Sequence, residues 1–226
     1  SAVLRDVSFA KTLKERIKLL SQLKARDLLP QAPSITEYSV GETMGESTEK
    51  MVKKWGVSRQ EQDDLAHASH SNAARAWAEG RFDDQLVPVE IPQRRGDPVV
   101  FARDEGFRED ASMDTLGKLR PIDGKRDADA IVTAGNASQQ NDAAAACLVV
   151  SEDKLAELGL EPLLWFEGWA AAGCDPARMG IGPVPATERL FARTGKGWDD
   201  IDLIELNEAF APQALAVMKG WGFGED

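Results

Sequence analysis

Leu13, Ile17, Leu20 and Leu23 recur at helical spacing among charged residues, so residues 10–29 are expected to form a basic amphipathic helix. The stretch Leu28-Leu29-Pro30-Gln31-Ala32-Pro33 would break it into a loop. Met51, Val52 and Trp55 mark a short helix over residues 46–55, and Gly56 supplies its left-handed end. Ser58-Arg59-Gln60-Glu61 has capping-box spacing and opens a longer helix, which runs to about Glu79 and stops at Gly80. Residues 83–130 are charged and loop-rich. From Ile131 the pattern changes to apolar runs alternating with helical segments. Strands are expected at residues 143–150, 163–169 and 201–206, and helices at 152–158, 185–193 and 212–219. Such alternation argues for a layered α/β fold with a buried sheet.

Charge refines this picture. The chain of 226 residues has 27 Lys and Arg against 38 Asp and Glu, a net charge of −11. That argues against nonspecific nucleic-acid binding, which requires a cationic surplus facing the phosphates. Two segments depart from the average. Residues 1–30 hold seven Lys/Arg against three Asp/Glu, and residues 94–126 hold eight against seven. The first is either a surface helix packing its stripe on the core or a docking element for a partner or an anionic membrane. The second is either a solvated mixed-charge surface or a groove that tolerates phosphates.

Cys147 and Cys174 are too few for a disulfide framework, so a reducing compartment such as the cytoplasm is expected. Both read as small packed residues, Cys147 within the strand over residues 143–150. His67 and His70 lie three residues apart on one helix. With no third ligand set they read as part of a solvated helix face, and no metal is expected. The first residues, Ser1 to Arg5, are not a signal peptide and lack Met, as an internal portion of a longer protein would.

The most informative stretch is Asn207-Glu208-Ala209-Phe210, which follows the apolar run 201–204. It places a carboxamide where a strand gives way to a helix, and Pro212 suits the start of that helix. Alone, it is either an Asn-capped turn or a polar group placed to stabilise developing negative charge. Four further segments keep it company: Met44-Gly45-Glu46-Ser47-Thr48-Glu49, Lys118-Leu119-Arg120-Pro121, Val132-Thr133-Ala134-Gly135-Asn136-Ala137-Ser138 with Asn141-Asp142, and Asp175-Pro176-Ala177-Arg178-Met179-Gly180-Ile181-Gly182-Pro183.

In this order, these segments resemble thiolases over most of residues 40–220. The resemblance implies a partial thiolase-like layered α/β fold with a helical loop domain. Residues 1–140 would be the loop domain, 141–160 the end of the N-terminal half and 161–226 the start of the C-terminal half. It also implies acyl transfer with coenzyme A as substrate rather than cofactor: thiolysis of 3-ketoacyl-CoA, or the reverse Claisen condensation. Asn207 resembles the family's catalytic Asn, which acts through a bound water. Ser138 and Ala134 resemble pantetheine contacts, Met179 and Phe210 the lining of the acyl and pantetheine end, and Arg108 and Thr115 contacts to the adenine nucleotide.

The family's nucleophilic Cys lies before the loop domain, and its catalytic His and second Cys lie beyond Asn-Glu-Ala-Phe. Neither Cys147 nor Cys174 matches them, so this portion alone is expected to be inactive. The remaining reading is a noncatalytic CoA-binding or assembly module. The entry segment over residues 13–38 most resembles the thiolase subunit of trifunctional fatty-acid oxidation complexes. That implies a homo-oligomer and a hydratase/dehydrogenase partner subunit.

Overall fold

The computed structural model describes residues 2–22, 24 and 34–223. Leu23 and the expected break over residues 28–33 lie outside the described residues. The chain forms two compact units, residues 1–36 and 37–226.

The first unit holds helix α1 (Ala2–Phe9) and helix α2 (Leu13–Leu20), which pack on each other. Thr12 and Glu15 form a capping box at the start of α2, so the helix begins where the Leu stripe does. Leu13, Ile17 and Leu20 are exposed, which departs from a stripe packed on a core.

The second unit is built on helices α3 (Met44–Trp55), α4 (Arg59–Ala78) and α8 (Ala211–Trp221), together with a 3-10 turn over Pro176–Ile181. Its core contains Met51, Val52, Val57, Ala66, Ala214, Leu215, Ala216 and Val217. The helix starts were legible in the sequence. The Oγ of Ser58 accepts from the Glu61 amide at 3.2 Å, while the Glu61 carboxylate accepts from the Ser58 amide. Gly56, at φ 62°, ends α3 in the left-handed conformation. Pro212 falls in the first turn of α8, which follows Phe210 as N-cap.

Helices α6 (Glu152–Leu158) and α7 (Pro183–Thr194) form as expected and end at Gly159 and Gly195. A short helix α5 (Met113–Gly117) and an antiparallel hairpin, β1 (Val89–Ile91) with β2 (Val99–Phe101), lie inside the segment expected to be loop. The hairpin's strands are only three residues long and wholly exposed, so they carry little hydrophobic periodicity.

The three expected strands are corrected. Residues 143–150, 163–169 and 201–206 form no strand and have no ladder partner among the described residues. A strand is defined by its neighbour's hydrogen bonds, and an apolar run cannot supply these for itself. Leu148, Val149, Leu163, Leu164, Phe166 and Leu203 are all more than three-quarters exposed, from 76% to 98%. Cys147 lies in the first of these runs and is exposed, and Cys174 is exposed as well, so neither is the packed residue expected. The end of the second run, and the residues just after it, are bonded to α7 instead of to a strand. Arg193 donates to the Trp169 carbonyl at 2.8 Å and Arg189 to that of Ala171 at 3.0 Å.

One close approach in the helical core is at Gly180. A Cβ there would lie 2.8 Å from both the Met51 sulfur and Cγ of Gln213. Gln213 also donates to the Gly180 carbonyl at 2.9 Å, and Ser47 donates to that of Ala177 at 2.9 Å. Helices α3 and α8 thus grip the 3-10 turn from two sides. Gly180→Ala should therefore lower stability by about 1–3 kcal/mol through overpacking, read as a reduced midpoint of chemical denaturation. An unchanged midpoint would show that the contact relaxes freely.

Candidate functional site

Residues 130–136 link helix α3 to helices α4 and α8. Ala130, Val132, Thr133 and Asn136 are buried. The segment has isolated bridges but no continuous ladder, so side chains must satisfy its amides. The buried Glu49 carboxylate accepts from the Ile131 and Val132 amides at 2.9 and 2.6 Å. Asn136 Oδ1 accepts from the Thr133 amide at 2.8 Å, closing the turn, and Asn136 Nδ2 donates to Asp63 at 3.0 Å. Asp63 is also paired with Arg59 at 2.7 Å. Burial raises the Glu49 pKa above the usual carboxylate range, and the two amides pull it partly back.

Beyond this buried turn the chain meets the Asn-Glu-Ala-Phe segment. Ala137 bridges Phe210, the Ser138 amide donates to the Ala209 carbonyl at 3.0 Å, and the Ala211 amide donates to the Asn136 carbonyl at 2.9 Å. Two motifs some seventy residues apart in the sequence are therefore joined by main chain.

A cavity of about 370 Å³ opens beside this junction. Arg108, Thr115 and Ala134 line it, with His70, Leu119 and Gln139 among their neighbours. Ser138 and Glu208 line an adjoining cleft that also contains His70. Four of the residues singled out in the sequence thus gather around one place. Phe210 stands beside it through the Ala137 bridge. Asn207 is exposed in the segment before α8 and lines neither cavity. Met179 is 45% exposed in the 3-10 turn, and its carbonyl receives the Cys174 thiol at 3.6 Å.

His70 is the residue that sequence reasoning missed. It is half-buried and accepts the Arg108 amide through Nδ1 at 3.2 Å, so it is not part of a solvated face. The signal was its place on the same helical stripe as Asp63 and Ala66, which outweighs its three-residue spacing from His67. Among the described residues no group of His, Cys, Asp and Glu could hold a metal.

Burial is the main reason that the His70 pKa lies below the usual imidazole value. Arg108 and His67 add to that depression, and Glu208 opposes it. The Arg108 amide adds a geometric reason, because a protonated Nδ1 could no longer accept it.

The chain's two halves match the family models described as "Thiolase, N-terminal domain", over residues 6–153, and "Thiolase, C-terminal domain", over residues 160–226. The chain therefore belongs to the thiolase family. A "Probable acetyl-CoA acyltransferase" of Staphylococcus aureus (strain MRSA252) is 52% identical over 174 residues, spanning 77% of this chain and 44% of that protein. An "Acetyl-CoA acetyltransferase" of Chromobacterium violaceum is 49% identical over 183 residues, spanning 81% of this chain and 46% of that protein. The crystal structure of the Bacillus anthracis acetyl-CoA acetyltransferase superposes with a TM-score of 0.81 at 39% identity, covering 89% of this chain and 53% of that one. The fold is accordingly α/β and thiolase-like, and the chain spans about half the length of these relatives.

The pH dependence of stability follows from His70. Its folded-state pKa is depressed, so between that value and the unfolded one, about 6.5, unfolding takes up a proton. Stability should fall as pH drops below about 7 and level off once the folded imidazole protonates. His70→Asn keeps an acceptor near the position of Nδ1 and cannot titrate, so it should flatten this part of the profile. Urea midpoints at acid and neutral pH compare the two chains. An identical pH slope in both would remove His70 as the cause.

Proposed function

We propose that the protein carrying this chain is a thiolase-type acyltransferase, acting by thiolysis of 3-ketoacyl-CoA or the reverse condensation, and that the cavity at Arg108, Thr115 and Ala134 receives coenzyme A. The observation that carries this reading is the convergence of these three residues, which come from separate segments, on one opening. A guanidinium and a hydroxyl suit the phosphate-bearing nucleotide end. The main chain at Ala134 and the Ser138 hydroxyl suit the amides of the pantetheine arm. Asn207 is the candidate for holding a water against the thioester oxygen as that oxygen gains charge. Met179 and Phe210 are candidates for the acyl end.

The chain alone is proposed to have no turnover. Both of its thiols are exposed, and neither lines the cavity. An acyl-enzyme needs an activated thiolate beside the bound thioester. This also favours the second reading, a noncatalytic CoA-binding module, for the 226 residues by themselves. We read residues 1–140 as the loop domain, with parts of the two thiolase halves after it. A homo-oligomer, a hydratase/dehydrogenase partner, a part in fatty-acid oxidation and a reducing compartment complete the proposal. The bare apolar runs at residues 143–150, 163–169 and 201–206 support completion by further strands, because an uncovered run exposes both main chain and apolar surface.

Calorimetric titration of the 226-residue chain with coenzyme A should give saturable binding. Arg108→Ala should weaken it roughly fivefold, the worth of one exposed ionic contact to phosphate, and the difference should shrink at high salt. Indifference to Arg108→Ala would move the ligand elsewhere. Thiolysis of acetoacetyl-CoA by the homogeneous chain would refute the proposed inactivity.

A further inference from the structure

The cavity's walls come largely from three short segments, residues 106–108, 116–119 and 133–136, the second of which begins in helix α5. Each is tied to the same face of α4. Arg59 donates through Nη2 to the Leu116 carbonyl at 2.7 Å and to the Leu119 carbonyl at 3.2 Å. Asp63 accepts from Asn136 at 3.0 Å, and Asn136 in turn closes the turn at Thr133. His70 accepts the Arg108 amide at 3.2 Å. Ala66, between them, is buried and faces the Asn136–Ser138 stretch in the adjoining cleft.

These positions fall at i, i+4, i+7 and i+11, within about 60° of the helix circumference. They span about 16 Å along its axis. Arg59 and Asp63 are also bonded to each other, so the 116–119 and 133–136 walls share one ion pair. Asp63 is 3% exposed and Asn136 is 2% exposed, so water does not compete for the bond between them.

We propose that Arg59, Asp63 and His70 are positioning residues, a single stripe of α4 that sets the spacing of the three walls of the pocket. This rests on the reading of that pocket as the coenzyme A site. A flexible ligand with a nucleotide at one end and a thiol at the other needs walls held at fixed separation, or its affinity is spent ordering them. Helix α4 supplies that separation through three side chains, while the loops supply most of the ligand contact.

Each tie has its own reporter amide: Arg108 for His70, Leu119 for the Arg59 end, and Thr133 for the Asp63–Asn136 end. Amide hydrogen exchange in the full chain therefore reads the stripe without any ligand. Asp63→Asn removes the charge facing Arg59 but leaves an acceptor for Asn136. It should speed exchange at Leu119 more than at Thr133. Asp63→Ala should speed both. His70→Ala should speed exchange at Arg108, and His70→Asn should restore it.

Coenzyme A affinity should drop roughly tenfold in Asp63→Ala and His70→Ala, the worth of one lost hydrogen bond, and His70→Asn should recover most of the His70→Ala loss. Unchanged exchange at the reporter amides would overturn the proposal, whether or not coenzyme A binds. Equal loss of affinity in His70→Ala and His70→Asn would also overturn it, because His70 would then touch the ligand through Nε2. The predicted exchange pattern in a chain that binds no coenzyme A would uphold the stripe and sink the ligand assignment instead.

Discussion

A peptide segment that passes through a core outside any ladder must find partners for its amides among side chains, and much of this structure depends on how residues 130–136 do so. A buried amide without a partner costs about 1–3 kcal/mol, whereas an exposed ion pair contributes at most about 1 kcal/mol. The pairs Arg81–Glu79, Arg103–Glu109 and Lys154–Glu157 are all exposed and so decide little. Glu49, Asn136 and Asp63 decide much more. They satisfy the segment from two helices at once, α3 through Glu49 and α4 through Asp63. The same bonds fix the turn that carries Ala134 and Ser138, so folding and the shape of the candidate site are one problem.

The second unit holds its helices and its apolar runs by different means. Helices α3, α4 and α8 bury one another's apolar faces, and aromatic edges close the far end, with Trp198 against Phe191, Trp221 and Phe223. The apolar runs at 143–150 and 201–206 have no comparable support. The run at 163–169 is tied to α7 at its end, where Arg193 bonds Trp169, a looser attachment than a β-ladder because a long side chain must be ordered to hold it. Local opening should therefore begin in these runs and leave the helical part in place.

What the sequence made legible follows from range. Capping boxes, left-handed glycines and prolines act within a few residues, and Ser58, Gly56, Gly159, Gly195 and Pro212 all mark helix ends where they were expected. Strands depend on partners that no local pattern names. The apolar runs read incorrectly as strands, and Cys147 lost its expected burial with them. Of the residues the motifs singled out, Arg108, Thr115 and Ala134 line one cavity and Ser138 the cleft beside it. His70 escaped because the histidine pair drew attention to metal spacing, while the informative spacing was to Asp63, seven residues earlier on the same face.

The remaining tension is electrostatic. A chain of net charge −11 is an unpromising host for a polyanion, yet the segment that carries Arg108 is nearly neutral. Screening reduces the conflict, because charges beyond about 8 Å are largely hidden at physiological ionic strength. The global charge then slows encounter more than it weakens the complex, and affinity is set by groups within contact distance. At the cavity these are the Arg108 guanidinium offset by the Asp110 carboxylate, the Thr115 hydroxyl, an imidazole of lowered pKa and main chain from a fixed turn. Neutral hydrogen bonds are weak singly and depend on geometry. A site with few cations must therefore draw its affinity from well-placed walls rather than from charge, and that makes the ties between helix α4 and its loops matter more here than they would in a basic protein.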